Sequence, residues 1–539
     1  MPQEKFITWM VAREWRFKKD CFITILFMTA ALDRIDSIFA HNARTLPNTP
    51  HLLEVSYEPF QTYSQTYVRS SRLAQSMIAF GLKPGERVLL FTTNSRELVE
   101  LFIACSLAGA ICVPVNTLSS GRELLNTALD CSPTQLFVHS QFADRVEPDL
   151  EKMVPGLKVA IAGPISGWRE YDDLIEKHSP LNASMRDDPQ DPAVMIYSSG
   201  TTGKPKGILL RHSALVLNAQ MTLSVARYQM TDRNLTLLPM FSSFGNCWDF
   251  LMPALAGSSV IVLPRFEPEH VWQLVQKHRA TVLVGVPIMF ARLFDPQTLL
   301  GKDISSVRLI DVGGGPVSDR LKSDLKSKHG IEVIESYGLT EISPVAAVQI
   351  PFDKQRPGST GPTLPGVEVK VVDEKGQRLP PNTPGELCFR SKTFMAGYWN
   401  QSDKTAEAIR DGWLFSGDIG VVDEDGHVYI HDRIKDMIIS NGFNVYPKEV
   451  ENALCEHPDV QTAAVVGIPD EIRGELIHAF VIRKEAAQVD ESQLLEHLSK
   501  LVGKHKLPKG ISFIGQLPLT ASGKIQRFAL RELLQPAKS

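Results

Sequence analysis

Between about residues 60 and 340, short apolar runs alternate with longer segments whose apolar residues recur at helical spacing. Arg87–Phe91 reads as a strand, Leu98, Leu101, Phe102, Cys105 and Ala108 share one helical face after it, and Ile111–Val115 reads as a strand again. Further apolar runs predict strands at Leu136–Val138, Val194–Tyr197, Leu235–Leu238, Val260–Leu263, Val282–Val286, Arg308–Val312 and Glu332–Ile334. Helical stretches such as Glu269–His278 lie between several of them. Strand, helix, strand, repeated, predicts largely parallel sheets covered by helices. From about 360 to 432 the pattern changes. Strand-like runs at Val367–Val372, Glu386–Arg390 and Val428–Ile430 are punctuated by Asp373-Glu374-Lys375-Gly376 and Asp423-Glu424-Asp425-Gly426, which are tight-turn signals. From Lys448 onward the pattern is that of a small α+β domain. There is no internal repeat and no low-complexity tract.

At 539 residues the chain exceeds what one core holds, so two or more domains are expected. Hydrophobic residues at 43% and charged residues at 22% fit a globular chain, and the net charge of −4 gives no electrostatic case for nucleic acid. Seven cysteines are scattered without a C-x-x-C pair, which argues against a disulfide framework or a zinc site and for a reducing, cytoplasmic setting. The N-terminus departs from this. Arg13, Arg16, Lys18 and Lys19, with Trp9, Trp15 and Phe17, lead into an apolar run from Cys21 to Leu32. That run is too short to span a bilayer as a helix, which needs about 20 residues. Three readings stay open: a dispensable extension over 1–27 with Met28 as the start, an amphipathic anchor making peripheral membrane contact, and a cleaved signal.

The strongest chemical signal is Ser198-Ser199-Gly200-Thr201-Thr202-Gly203-Lys204-Pro205-Lys206-Gly207, directly after the strand ending at Tyr197. Glycines allow close backbone approach, hydroxyls donate hydrogen bonds and Lys204 and Lys206 supply charge, which together make a phosphate cradle. It is not the G-x-x-x-x-G-K-[ST] loop, because Pro205 follows Lys204. Val312-Gly313-Gly314-Gly315-Pro316 ends another strand and, taken alone, is as readily a structural turn as a site. In Tyr337-Gly338-Leu339-Thr340-Glu341 a ring can stack on a base, a hydroxyl can bind phosphate and a carboxylate suits magnesium. Asp418, in Trp413-Leu414-Phe415-Ser416-Gly417-Asp418, has the carboxylate that a vicinal diol requires, though such an Asp is as often a turn residue. Asp432-Arg433-Ile434-Lys435-Asp436 reads alone as a solvated charge cluster.

Taken in order, these motifs resemble the adenylate-forming superfamily of acyl-CoA synthetases, nonribosomal adenylation domains and beetle luciferases, over about residues 30–530. The pattern is most similar to bacterial acyl-CoA synthetases. The resemblance implies that Ser198, Ser199, Gly200, Thr201, Thr202, Gly203, Lys204 and Lys206 cradle the phosphates of ATP. It further implies that Gly313, Gly314, Gly315 and Pro316 lie along the adenine, on which Tyr337 stacks, and that Asp418 and Arg433 hold the ribose. By the same resemblance Thr340 and Glu341 would act on phosphate and Mg2+, and Lys435 would be the pivot between domains. Gly442 and Phe443, in the segment Asn441–Glu451, resemble residues that line a tunnel for the pantetheine thiol. Lys524, in Pro518-Leu519-Thr520-Ala521-Ser522-Gly523-Lys524-Ile525, resembles the adenylation lysine. Leu238–Gly245 resembles the acyl-pocket motif, with Phe241 and Phe244 as walls.

The sequence also departs from that pattern. Ser242 stands where many synthetases place a histidine, and a hydroxyl cannot take up charge as imidazole does. Phe244 stands where amino-acid-activating relatives keep an aspartate, so an α-amino acid, whose buried ammonium would lack a counter-charge, is disfavoured. Ile439 occupies the position of a second catalytic lysine in luciferases. The expected fold is therefore α/β: a large N-terminal domain (28–434) of layered, mostly parallel sheets with a distorted β-barrel, and a small hinged C-terminal α+β domain (435–539). The expected activity is an AMP-forming acid–thiol ligase that uses ATP, Mg2+ and coenzyme A on an apolar fatty or aryl acid. A ligase loading a carrier-protein phosphopantetheine and a luciferase-like oxygenase stand as alternatives. A non-enzymatic relative would have lost the acidic and basic groups that Glu341, Asp418 and Lys524 retain. The need for ATP and coenzyme A also speaks against the cleaved-signal reading of the N-terminus.

Overall fold

The computed structural model describes residues 32–534, apart from 56–57, 182, 199–205, 316–318, 435, 441–442, 471–473, 486 and 520–524. Each apolar run named above between residues 87 and 334 contributes to a strand, usually shifted by a residue or two. The largest difference is at Leu235–Leu238. Its strand is Arg233–Leu235, and Leu237 N turns back to bond Leu235 O at 2.9 Å, taking the chain out of the sheet before Pro239.

The described residues form two compact units: one runs to Glu368 and adds Arg390–Gly412, and the other joins Val369–Phe389 to the segment from Trp413 onward. The first unit holds two eight-stranded sheets. In one, Leu309–Gly313 lies between Val282–Gly285 and Glu332–Gly338, all parallel, and Val345–Val348 closes the edge antiparallel. In the other, Arg87–Phe91 pairs in parallel with Ile111–Pro114 and Gln135–His139. Its far edge is an antiparallel run of Pro192–Ser198, Lys206–Arg211 and Gly397–Tyr398.

The parallel strands are apolar throughout because helices cover both faces. Val88, Leu89, Val113, Leu136, Val138, Val282, Leu283 and Leu309 are all fully buried. Phe250 stacks between Phe39 and Phe102, with ring centroids 5.3 and 5.1 Å away, so a helix entering from the N-terminus and the helix Arg96–Leu107 pack on one aromatic column.

The second unit contains an antiparallel sheet in which Trp413–Val422 pairs with Gly385–Arg390 and Val428–Arg433. It also contains an α+β sheet in which Gly474–Arg483 pairs with Val460–Asp470 and Gly510–Phe513. Helices Pro447–Cys455 and Glu491–Leu501 cover that sheet over a core of Val450, Leu454, Val465, Val481, Leu494 and Leu498. The molecule is thus mixed α/β, with a large N-terminal body of sheets and a smaller C-terminal domain. Among the described residues, no helix is long and apolar enough to cross a membrane. The N-terminal segment 1–31 lies outside them.

Candidate active site

The hydroxyl- and glycine-rich loop connects two antiparallel strands, and its ends, Ser198 and Lys206, face each other in register. Residues 199–205 lie outside the described residues. Lys206 opens the return strand, and its Nζ stands 5.2 Å from the ring centroid of Tyr398, a cation–π distance. Tyr398 is placed there by the two-residue strand Gly397–Tyr398, in which Tyr398 pairs with Ile208 and Gly397 with Leu209.

In the other sheet, the strand Leu309–Gly313 delivers Gly313, and Gly314 follows with φ +78°, a conformation costly for any side chain. A Cβ on Gly313 would stand 2.6 Å from Phe244 Cζ, so the glycine-rich turn and the Phe244 ring are in direct contact. Phe244 in turn meets Trp248 edge-to-face at 6.5 Å. Trp248 is fully buried and belongs to a π-helical turn, Asn246–Leu251, a rare geometry that recurs at functional sites. Sequence periodicity gave no sign of that turn. Beneath the glycine turn lies Asp311, which accepts from Ser336 Oγ at 2.8 Å, and burial holds its pKa well above the usual carboxylate range.

Ser242 donates to Pro239 O at 2.8 Å and accepts from Gly245 N at 3.1 Å, so it caps the turn that follows. Its neighbour Ser243 is buried and shares a hydrogen bond of 2.9 Å with Thr340 Oγ1. Thr340 and Glu341 begin a short 3-10 turn after the strand Glu332–Gly338. Gly338 is obligatory there, because a Cβ would stand 1.8 Å from Pro344 O where the chain doubles back. Glu341 Oε1 accepts from Tyr398 OH at 2.9 Å, and Glu341 O accepts from Met395 N at 2.9 Å. Burial, and then the Glu341 charge, push the Tyr398 phenol pKa up, so the hydroxyl stays protonated and donates. Lys206, Tyr398, Glu341, Thr340 and Ser243 are therefore one connected group in the first unit. Tyr337 sits on the same strand, paired with Ala347, and Phe241 is half-buried.

In the second unit, Asp418 and Arg433 are register partners on adjacent strands, and Arg433 Nε lies 3.2 Å from Asp418 Oδ1. Asp418 is buried while the Arg433 side chain is 45% exposed, which leaves the guanidinium open to a further partner. Gly417 N donates to Glu386 Oε1 at 3.0 Å and Asp418 N to Ser416 Oγ at 3.0 Å, fixing the turn that carries the carboxylate. Lys524, Lys435, Gly442 and Pro316 lie outside the described residues, and of Phe443 only the backbone is described, paired with Ser440. The residues flanking Lys524 are tied down. Leu519 and Ile525 form an antiparallel bridge, and Gln526 N and Nε2 donate to Pro518 O and Leu519 O at 2.9 and 3.0 Å.

A family model described as AMP-binding enzyme matches residues 39–399, and one described as AMP-binding enzyme C-terminal domain matches residues 449–524. The chain belongs to the AMP-binding enzyme family. It is 34% identical over 478 residues to the indoleacetate–CoA ligase of Aromatoleum aromaticum, across 88% of this chain and 93% of that one. It is 35% identical over 483 residues to the fatty acid–acyl-carrier-protein ligase ScoC of Streptomyces coeruleorubidus, across 87% and 91%. The crystal structure of the anthranilate CoA ligase AuaEII in complex with anthranoyl-AMP matches at a TM-score of 0.87 and 29% identity, covering 93% of this chain and 97% of that one. As an AMP-binding enzyme, the chain is an ATP-dependent, adenylate-forming ligase.

The same group of residues suits a divalent cation. Glu341 Oε1 is held by Tyr398, whereas Oε2 accepts no hydrogen bond among the described residues, and the Thr340 hydroxyl is adjacent in sequence. Hard oxygen donors of this kind fit Mg2+.

Proposed function

We propose that this AMP-binding enzyme joins an apolar carboxylic acid, aryl or fatty, to ATP as an acyl-adenylate, releases pyrophosphate, and passes the acyl group to the thiol of coenzyme A with release of AMP. The observation that carries this reading is the linked group Lys206–Tyr398–Glu341, with Thr340 and Ser243 beside it. It gathers a cation, a carboxylate and hydroxyls next to the ends of the phosphate-loop hairpin. The barrier to adenylation is the approach of a carboxylate to a phosphate, two anions. In this reading Lys206, Thr340 and the loop 198–206 offset that charge, and Lys524 does so from the C-terminal domain. Magnesium held by Glu341 would supply further neutralisation at the phosphates. In this reading Asp418 accepts from the ribose hydroxyls and Arg433 donates to them. The second half-reaction requires Lys524 to leave and the thiol to enter past Gly442 and Phe443, with Lys435 as the pivot.

The acid is read as apolar because Phe244, backed by Trp248, presents a ring and not an acidic anchor beside Gly313. The likeness to a carrier-protein ligase supports a second acceptor, a phosphopantetheine thiol on a carrier protein. The test is pyrophosphate release across a panel of aryl, fatty and α-amino acids, with coenzyme A or a holo carrier protein as the acceptor. Apolar acids should lead and coenzyme A should be acylated. An α-amino acid as best substrate by a wide margin would overturn the pocket assignment, and acylation of the carrier alone would overturn the acceptor.

A further inference from the structure

Tyr398 lies outside every motif singled out in the sequence, yet the contacts around the candidate site converge on it. Its hydroxyl donates to Glu341 Oε1 at 2.9 Å, and its ring lies against the Lys206 ammonium at 5.2 Å. Its backbone is in register with Ile208, two residues into the strand that returns from the phosphate loop. The flanking residues extend the same clasp. Met395 N donates to Glu341 O at 2.9 Å, Ala396 N to Leu209 O at 2.6 Å and Trp399 N to Gly207 O at 2.7 Å. One short segment, 395–399, thus holds Glu341 by its backbone and by its side chain while resting on the strand that Lys206 opens. A carboxylate with one oxygen taken by a fixed phenol has a defined second oxygen. Without that bond its terminal torsion is broad and both oxygens are equivalent.

We propose that Tyr398 is a positioning residue: its hydroxyl fixes Glu341 so that Oε2 is the oxygen offered to the magnesium of the nucleotide, and its strand pairing couples that carboxylate to the strand that Lys206 opens. The proposal rests on the adenylation reading above. Loss of a hydrogen bond to a charged group predicts a weakening of about tenfold. Tyr398→Phe keeps the ring that packs against Lys206 and removes only the donor.

The experiment is calorimetric binding of a non-hydrolysable ATP analogue to the full-length protein, as a function of Mg2+ concentration and again in EDTA. For Tyr398→Phe we expect affinity for the magnesium complex to fall about tenfold at limiting Mg2+ and to recover as Mg2+ is raised. Affinity in EDTA should stay within about twofold of the unsubstituted protein. In a Glu341→Gln background, adding Tyr398→Phe should weaken binding by less than about twofold further, since the two residues act as one unit. Equal affinity of Tyr398→Phe and the unsubstituted protein at every Mg2+ concentration would overturn the positioning role alone. So would a loss that is the same in EDTA, or one that adds fully to Glu341→Gln. If the unsubstituted protein bound no magnesium–nucleotide complex at all, the adenylation reading itself would fall.

Discussion

Ser242, which by resemblance stands where many acyl-CoA synthetases carry a histidine, donates to Pro239 O and accepts from Gly245 N. It is a cap for the following turn, and a hydroxyl cannot take up charge as an imidazole does. The hydroxyl next to it is differently placed. Ser243 is buried and bonds Thr340 Oγ1 at 2.9 Å, which limits where the threonine hydroxyl can point. If Thr340 acts on phosphate, Ser243→Ala should slow single-turnover pyrophosphate release by about fivefold, the worth of one neutral hydrogen bond of about 1 kcal/mol. The thermal midpoint should move by only a few degrees. An unchanged rate would show that Thr340 is oriented without Ser243, or is not used.

The glycine of the glycine-rich turn gives a second residue-level expectation. Gly313→Ala places a methyl 2.6 Å from the Phe244 ring, so the ring must shift, and Phe244 is a proposed wall of the acyl pocket. The KM for the acid should rise at least about tenfold, and Gly313→Ala combined with Phe244→Ala should recover part of that loss because the clash is removed. Steady-state kinetics on the best acid of the panel decide it. A double variant worse than both single variants would place the ring elsewhere.

At the scale of elements, what could be read in the sequence was what depends on local pattern. Apolar runs such as Arg87–Phe91 and Arg308–Val312, the second observed as Leu309–Gly313, read as strands because they are too short for a buried helix and a doubly covered sheet buries both faces of a strand. Of the candidate site, the sequence marks the places where glycine, hydroxyl and charge cluster within a few residues, as in the run from Tyr337 to Glu341, whereas the loop after Tyr197 lies outside the described residues from 199 to 205. Tyr398 and Ser243 were not legible. Each takes its role from a partner far away in the chain, Tyr398 from a two-residue strand paired with Lys206–Arg211 and Ser243 from a turn facing Thr340. The π-helical turn Asn246–Leu251 escaped for a different reason: its residues are buried on all sides, so no helical periodicity marks it.

A stability effect also belongs to an element, the strand Pro50–Val55 packed on the helix Tyr63–Ala79. His51 on that strand is fully buried, stacked on Tyr63 at 4.4 Å and bonded to Thr66 at 3.1 Å, and burial depresses its pKa to about 3. It is neutral in the folded protein and takes a proton only on unfolding once the pH drops below its ordinary value of 6.5. Its contribution is therefore present above about pH 6.5 and is lost as pH falls toward 3, at about 1.4 kcal/mol per pH unit. His51→Gln should flatten the decline of the unfolding free energy from urea titrations between pH 6 and pH 4 by about that slope. A parallel decline in both proteins would assign the acid sensitivity to other groups.

At the scale of the whole molecule, the proposed chemistry asks the same site to do two incompatible things, and two substitutions should separate them. Lys524 is proposed to bridge the attacking carboxylate and the α-phosphate during adenylation only. Removing one preorganised donor at a charge-developing centre costs roughly 10²–10³ in rate, and the loss of a full charge costs more. Lys524→Ala should therefore cripple adenylate formation while leaving thiol transfer from chemically prepared acyl-adenylate within about tenfold, or ~1.4 kcal/mol in barrier. Arginine should rescue poorly, because its planar fork carries the charge without the compact geometry of an ammonium. Lys435→Pro should do the reverse. Proline fixes φ near about −65° and removes an N–H, which would hold the proposed pivot in one state. Adenylation should survive and thiol transfer should fall by orders of magnitude. Measuring the two half-reactions separately, on proteins whose circular dichroism matches the parent, decides between a moving and a static C-terminal domain. Opposite phenotypes require two working states of one chain. If Lys524→Ala abolished transfer as thoroughly as adenylation, or Lys435→Pro lowered both equally, the two-state account would fail, and the thiol would have to enter a site in which Lys524 stays in place.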